Sequence, residues 1–193
     1  MKKALLLMIV ALMLSSAVHA CPDCPPPYRY GYIGLYIDEG RMYWCASGVG
    51  FYPVEMWIWC LPGENGQICA EFAISYPPNV IQSTTTKNLP LISVDMGDLA
   101  SGWSVCYIAC QWSWHWPAHQ LLYVTDPTKT HCEVVAHPGV GAYQFANCEP
   151  GYPVEPCNIL SHLFINYDVF DPECAGFATQ EASWGAIKSL ISE

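Results

Sequence analysis

Large apolar side chains recur along this chain in short blocks, separated by Gly, Pro and Asn. Residues 32–37 (Tyr-Ile-Gly-Leu-Tyr-Ile) are β-branched and aromatic and stop at Asp38-Glu39-Gly40, a turn signal. Residues 51–61 carry Val54, Met56, Trp57, Ile58 and Trp59 on both parities, which predicts a strand covered on both faces. In 68–76 the apolar Ile68, Ala70, Phe72 and Ile74 share one parity, while Cys69, Glu71, Ala73 and Ser75 hold the other. That is the alternation of a half-buried strand, and Pro77-Pro78-Asn79 ends it. Residues 82–88 read as a polar loop, 91–94 as a short strand and 97–102 as a turn. The stretch 103–116 reads as one long strand or a strand with a break, and 120–125, 132–136, 142–146 and 160–167 as further strands. Breaks at intervals of about ten residues point to an all-β sandwich. A helical pattern appears only at the end, where Trp184, Ile187, Leu190 and Ile191 share one face and Ser183 can cap the start. Gly185 weakens that helix by ~1 kcal/mol relative to Ala.

The first 20 residues have another character. Lys2 and Lys3 precede an apolar stretch, 4–14, and small residues before a break at Val18-His19-Ala20, the layout of a secretory signal peptide. The apolar stretch is shorter than the ~20 residues a spanning helix needs. The expected organisation is a signal at 1–20, a proline-rich leader at 21–27, a β-sandwich at 28–178 and a helical tail at 179–193. Loss of Lys2 and Lys3 with the signal takes the formal net charge from −10 to −12. Such a surface repels nucleic-acid phosphates and anionic head groups, so nucleic acid is excluded as a partner. No cofactor motif is present, although the carboxylate excess can collect calcium.

Export bears on the eleven cysteines, all of which follow the signal. Outside the cytoplasm disulfides form and persist. Cys60 and Cys69 flank the turn-like 61–66, and Cys148 and Cys157 flank the turn-rich 149–153, so either pair can staple a hairpin. The odd count leaves at least one thiol unpaired, lipidated or bonded to another chain. Val18-His19-Ala20-Cys21 puts Cys21 where a bacterial lipoprotein carries its lipid, and a lipid there would leave an even ten. Cys21-Pro-Asp-Cys24 runs into Pro25, Pro26 and Pro27 with no preceding strand, unlike a redox motif that opens a helix.

The most unusual string is Trp112-Ser113-Trp114-His115-Trp116. On a strand, Trp112, Trp114 and Trp116 line one face and can stack on sugar rings. Cys106, Ile108 and Cys110 share their parity, so the same face can equally be core. His115 and His119 are four apart, but Pro117 between them argues against the helix on which they would share a metal. His131, His137 and His162 are scattered, and the acids Asp38-Glu39 and Asp95/Asp98 sit in turns. No Gly-x-Ser-x-Gly and no Cys-His signature is present, so no catalytic residue is assigned.

Two stretches resemble known proteins. Ala70-Glu71-Phe72-Ala73-Ile74-Ser75-Tyr76-Pro77-Pro78-Asn79-Val80-Ile81 resembles the F-x-x-S-Y-D-P-x-x-L strand-turn segment of cohesin-like domains, with Pro77 in place of the usual Asp. Gly97-Asp98-Leu99 and Leu121-Leu122-Tyr123-Val124 follow in a similar order. The resemblance implies an Ig-like, cohesin-like jelly-roll β-sandwich that binds partner proteins or scaffolds assemblies outside the cell. The tail, Ser183-Trp184-Gly185-Ala186-Ile187-Lys188-Ser189-Leu190, is similar to the W-G-x-I-K-x-L ending of uncharacterised secreted bacterial proteins. Several of those also begin with a strand like Ile33-Gly34-Leu35-Tyr36-Ile37-Asp38-Glu39-Gly40. The expectation is therefore a secreted or cell-surface, non-enzymatic binding or structural module, whose partner is a protein or polysaccharide. A carbohydrate-binding module built on the Trp row, or a hydrolase with an unrecognised site, are the alternatives. Trp184, Ile187 and Leu190 are expected to dock the tail, either as a sorting element or as a cap on the sandwich.

Overall fold

The computed structural model describes residues 30–47, 53–168 and 170–174. The strands run β1 (Tyr32–Tyr36), β2 (Cys45–Ala46), β3 (Pro53–Leu61), β4 (Gln67–Ser75), β5 (Val80–Lys87), β6 (Ile92–Asp98) and β7 (Gly102–Gln111). They continue as β8 (His115–Val124), β9 (Thr130–Val135), β10 (Gln144–Ala146), β11 (Val154–Pro156), β12 (Asn158–Ser161) and β13 (Leu163–Ile165). The signal, the leader with Cys21 and Cys24, and the tail with Trp184, Ile187 and Leu190 lie outside the described residues.

Two sheets form. One has five strands in the order β12-β1-β3-β8-β5. The other has eight, with β11-β10-β4-β9-β13-β2 along one path and β7 and then β6 added beside β4. Residues 69–71 of β4 pair with both β10 and β7, so those two strands flank opposite edges of β4. Pairing is antiparallel except for β1 with β12 and β13 with β2. The alternation in the sequence explains the layers. Ala70, Phe72 and Ile74 of β4 meet Val54, Met56 and Ile58 of β3 in one core, with Leu35, Trp103, Val105, Leu122 and Leu163. Lys87 on the edge strand β5 reaches Asp95 on β6 at 2.7 Å, an ion pair that joins the two sheets along one side.

The 82–88 stretch is not a loop. Residues 80–87 are the edge strand β5, exposed along most of its length and held by pairing with β8. One side of an edge strand needs no apolar residues, so its polar composition hid it. The turn expected at 97–102 is shorter, because β6 extends to Asp98 and β7 starts at Gly102. Asp98 accepts from the backbone N–H groups of Ala100 and Ser101 and closes that turn.

Among the described residues, three disulfides join Cys45 to Cys174, Cys69 to Cys106 and Cys110 to Cys148. Neither expected pair, Cys60 with Cys69 or Cys148 with Cys157, forms. Cys60 and Cys69 lie on β3 and β4, which belong to different sheets, so 61–66 is a crossover and not a hairpin turn. Cys148 sits at the turn end of the β10–β11 hairpin, whereas the Cys157 N–H donates to Tyr143 O at its far end. Cys60, Cys132 and Cys157 are buried free thiols, so the parity argument for a lipid on Cys21 loses its force.

Candidate binding faces

The three tryptophans expected in a row do not share a strand face. Residues 112–114 connect β7 to β8, and only Trp116 lies on a strand. Trp112 is 66% exposed and stands apart, while Trp114 and Trp116 are half-buried against another aromatic group. That group, missed as a unit in the sequence, occupies the outer face of the five-stranded sheet. Tyr36, Trp57 and Trp59 are buried there, with Trp44, Trp114 and Trp116 packed around them.

The register explains the convergence. Tyr36 on β1 faces Trp57 on β3, and Gly34 faces Trp59. Gly34 leaves room for the Tyr36 ring to lie over the sheet, since a Cβ at this position would come within 2.7 Å of that ring. On the other side of β3, Trp57 faces His119 of β8, and the two rings stack at 4.3 Å. Trp116 meets Trp57 edge-on at 5.1 Å. A bulge lies opposite Trp59, where β8 shifts register around Pro117, a residue tolerated at bulges. The bulge turns His115 and His119 to opposite faces. His119 joins the outer aromatics, while His115 is buried and packs on Tyr107 in the core. The two imidazoles therefore do not share one site. Burial lowers the pKa of His115 to about 4, against a weaker upward effect of its contact with the Ser113 carbonyl.

The roof over these aromatics comes from the β1–β2 connection. Asp38 accepts from the N–H groups of Met42 and Tyr43 and folds 38–43 back on itself. Arg41, at φ 60°, places its guanidinium between two indoles, 4.7 Å from the Trp59 ring centre and 4.6 Å from that of Trp114. The Trp44 indole N–H donates to Glu173 O at 2.9 Å, beside the Cys45–Cys174 bond.

The outer face of the eight-stranded sheet is different. Pairing aligns Val94, Cys106, Cys69, Ala146 and Val154 in one row across β6, β7, β4, β10 and β11. Met96, Ser104, Glu71, Gln144 and Pro156 form the next row. Five adjacent strands make this surface about 19 Å wide at ~4.8 Å per gap. Met96 is 59% exposed, Ile108 65% and Val154 59%. The Cys69–Cys106 bond lies at the centre, and the two rows line a concavity of about 180 Å³. Glu71 is its charged point, accepting from Ser104 Oγ at 3.0 Å and from Gln144 Nε2 at 2.6 Å.

Groups that could do chemistry have structural partners instead. Asp38 holds the β1–β2 connection, and Asp95 pairs with Lys87 and accepts from the Trp103 indole. Burial pushes the Cys60 and Cys132 thiols up to about 12 and Cys157 higher still, so none is a thiolate at neutral pH. Among the described residues, no three His, Cys, Asp or Glu side chains cluster as a metal site.

No family profile matches the sequence, and no curated protein does. Solved structures do. The fold is similar to a cohesin module from a family 33 glycoside hydrolase of Clostridium perfringens ATCC13124, with TM-score 0.51, 11% identity, and coverage of 72% of this chain and 99% of that one. It is also similar to a type II cohesin domain from the cellulosome of Acetivibrio cellulolyticus, with TM-score 0.50, 15% identity, and coverage of 72% and 96%. The sixth cohesin of that organism's scaffoldin B, solved with a Cel5 dockerin mutant, gives TM-score 0.50 at 9% identity over 72% and 99%. At such identities the likeness concerns the fold alone, and the chain is a disulfide-bonded, all-β sandwich of cohesin-like architecture.

Proposed function

We propose that this chain is a secreted, non-enzymatic recognition module that receives a protein partner on the outer face of the eight-stranded sheet. The observation that carries this reading is the set of exposed apolar residues, Val94, Met96, Ile108 and Val154, on the sheet around the Cys69–Cys106 bond. An exposed apolar patch on a regular sheet costs solubility unless something covers it. A concavity with Glu71 fixed beside it suits an apolar anchor flanked by one hydrogen-bond donor. The scaffoldin B cohesin of this fold was solved with a dockerin bound, so a sandwich of this kind can serve as a receptor for another protein module. The signal-like 1–20 and three disulfides fit an oxidising compartment.

The test uses the mature protein immobilised on resin and exposed to the culture fluid of its source, beside a Met96→Asp/Ile108→Asp variant with the same melting temperature. A partner retained by the first and lost by the second supports the reading, and equal retention refutes it.

A further inference from the structure

The roofed aromatic face holds a second site, independent of the protein-binding reading. Trp59 is only 8% exposed, and its indole N–H has no hydrogen-bond partner among the described residues. The Arg41 guanidinium stacked upon it has a buried Nη1 that is also unpartnered. Unmade buried hydrogen bonds cost about 1–3 kcal/mol each, more for a charged group, and native folds seldom leave two together. Arg41 makes no ion pair among the described residues. Asp38, whose charge acts on Arg41, commits its carboxylate oxygens to the N–H groups of Met42 and Tyr43. The backbone adds a further observation, since φ 60° is a conformation that non-glycine residues seldom adopt. The chain places its arginine there with no carboxylate in ion-pair contact among the described residues.

We propose that the Trp59–Arg41–Trp114 stack binds a uronic acid residue of an acidic polysaccharide. Both vacant groups are donors, so the ligand must bring acceptor oxygens, and the unpaired cation selects a carboxylate. The walls are indoles. Trp44, Trp114 and Trp116 are half-buried around the stack, with Met42 and Tyr43 exposed beside it. The C–H face of a pyranose is weakly positive and meets the negative face of an aromatic ring. Arg41, Trp114 and Trp116 are half-buried, so the stack is partly exposed to solvent, while its two vacant donors lie beneath the surface. The chain's net negative charge opposes a polyanion at long range. At physiological salt that field is screened within about 8 Å, which leaves the local cation to decide.

The experiment is calorimetric titration of the mature chain at 0.15 M salt with oligogalacturonate, its fully methyl-esterified form and a cello-oligosaccharide. The acid form is expected to bind and quench tryptophan fluorescence, with at least tenfold weaker binding for the ester, for the neutral glucan and for Arg41→Gln. Trp114→Ala should weaken it comparably, while Met96→Asp/Ile108→Asp leaves it unchanged, which separates this site from the protein-binding face. Absence of binding by the acid form, or equal affinity for acid and ester, overturns the proposal. So does acetate or a peptide carboxylate competing as well as the sugar acid does. The ester comparison uses unmodified protein, so it decides the matter even if Arg41→Gln does not fold.

Discussion

Met96, Ile108 and Val154 stand free on the outer face of the eight-stranded sheet, whereas Tyr36, Trp57 and Trp59 on the outer face of the five-stranded sheet lie beneath a roof. Both faces are apolar, and the more apolar one is the one that is covered. The difference lies in what the neighbouring connections do. The β1–β2 connection, folded back by Asp38, lays Arg41 over Trp59 and packs Trp44 against the cluster, while Trp116 and His119 cover Trp57. No comparable segment among the described residues crosses the row from Val94 to Val154. Hydrophobicity alone therefore does not single out the surface proposed to bind a partner; exposure does.

Each contrast can be broken experimentally. The largest effect is expected from the bond that anchors the roof. Cys45–Cys174 spans 129 residues, so replacing both with Ser should cost about 5 kcal/mol in denaturant unfolding by the chain-entropy argument. Cys69–Cys106 on the open face spans 37 residues and should cost about 1 kcal/mol less, because loop entropy grows only logarithmically. An equal or reversed order would show that the roof does not depend on the longer bond. Next, Trp59→Ala should cost about 4 kcal/mol as a core deletion, while Trp112→Ala should stay within about 0.5 kcal/mol. Similar losses at both positions would mean that the aromatic face is not a second core.

The third effect depends on pH. Burial holds His115 neutral, with a folded pKa of about 4 against about 6.5 unfolded. The unfolded chain therefore binds the extra proton between those values. The contribution of His115 is complete above pH ~6.5 and is lost as pH falls towards 4, about 3 kcal/mol in all. His115→Phe should flatten chemical denaturation midpoints across that window, and an unchanged slope would contradict its burial. The smallest effect belongs to the open face. Met96→Asp/Ile108→Asp should move stability by no more than about 0.5 kcal/mol. A large loss there would make that face part of the core rather than a surface.

Much of the architecture could be read from the chain. The parity of Ala70, Phe72 and Ile74 against Cys69 and Glu71 placed one face of β4 inside, as the core confirms, although Ile68 on that parity is only half-buried and Ala73 on the other is buried as well. The apolar residues on both parities of β3 foretold a strand covered on both sides, and Trp59 is covered by Arg41 and Trp57 by Trp116 and His119. The segment resembling cohesin-like domains falls on β4, its Pro-Pro-Asn turn and the start of β5. The sites were less legible. The Trp112-to-Trp116 string holds the right residue types, but a connection breaks its strand and the Pro117 bulge reverses parity beyond it. Arg41 carried no signal at all, because its importance lies in two indoles far along the chain.

By itself, then, the sequence determined the strand period and, for strands such as β4, which parity turns inward, while its cysteines point to an oxidising setting. These are local properties, set by a two-residue alternation and by composition. Only the tertiary structure decided that Cys69 bonds Cys106, that Val94 aligns with Val154 across five strands, and that Arg41 lies between Trp59 and Trp114. Each of these depends on which strands become neighbours and in what register. Register is chosen by packing the whole core at once, so no short window of residues contains it.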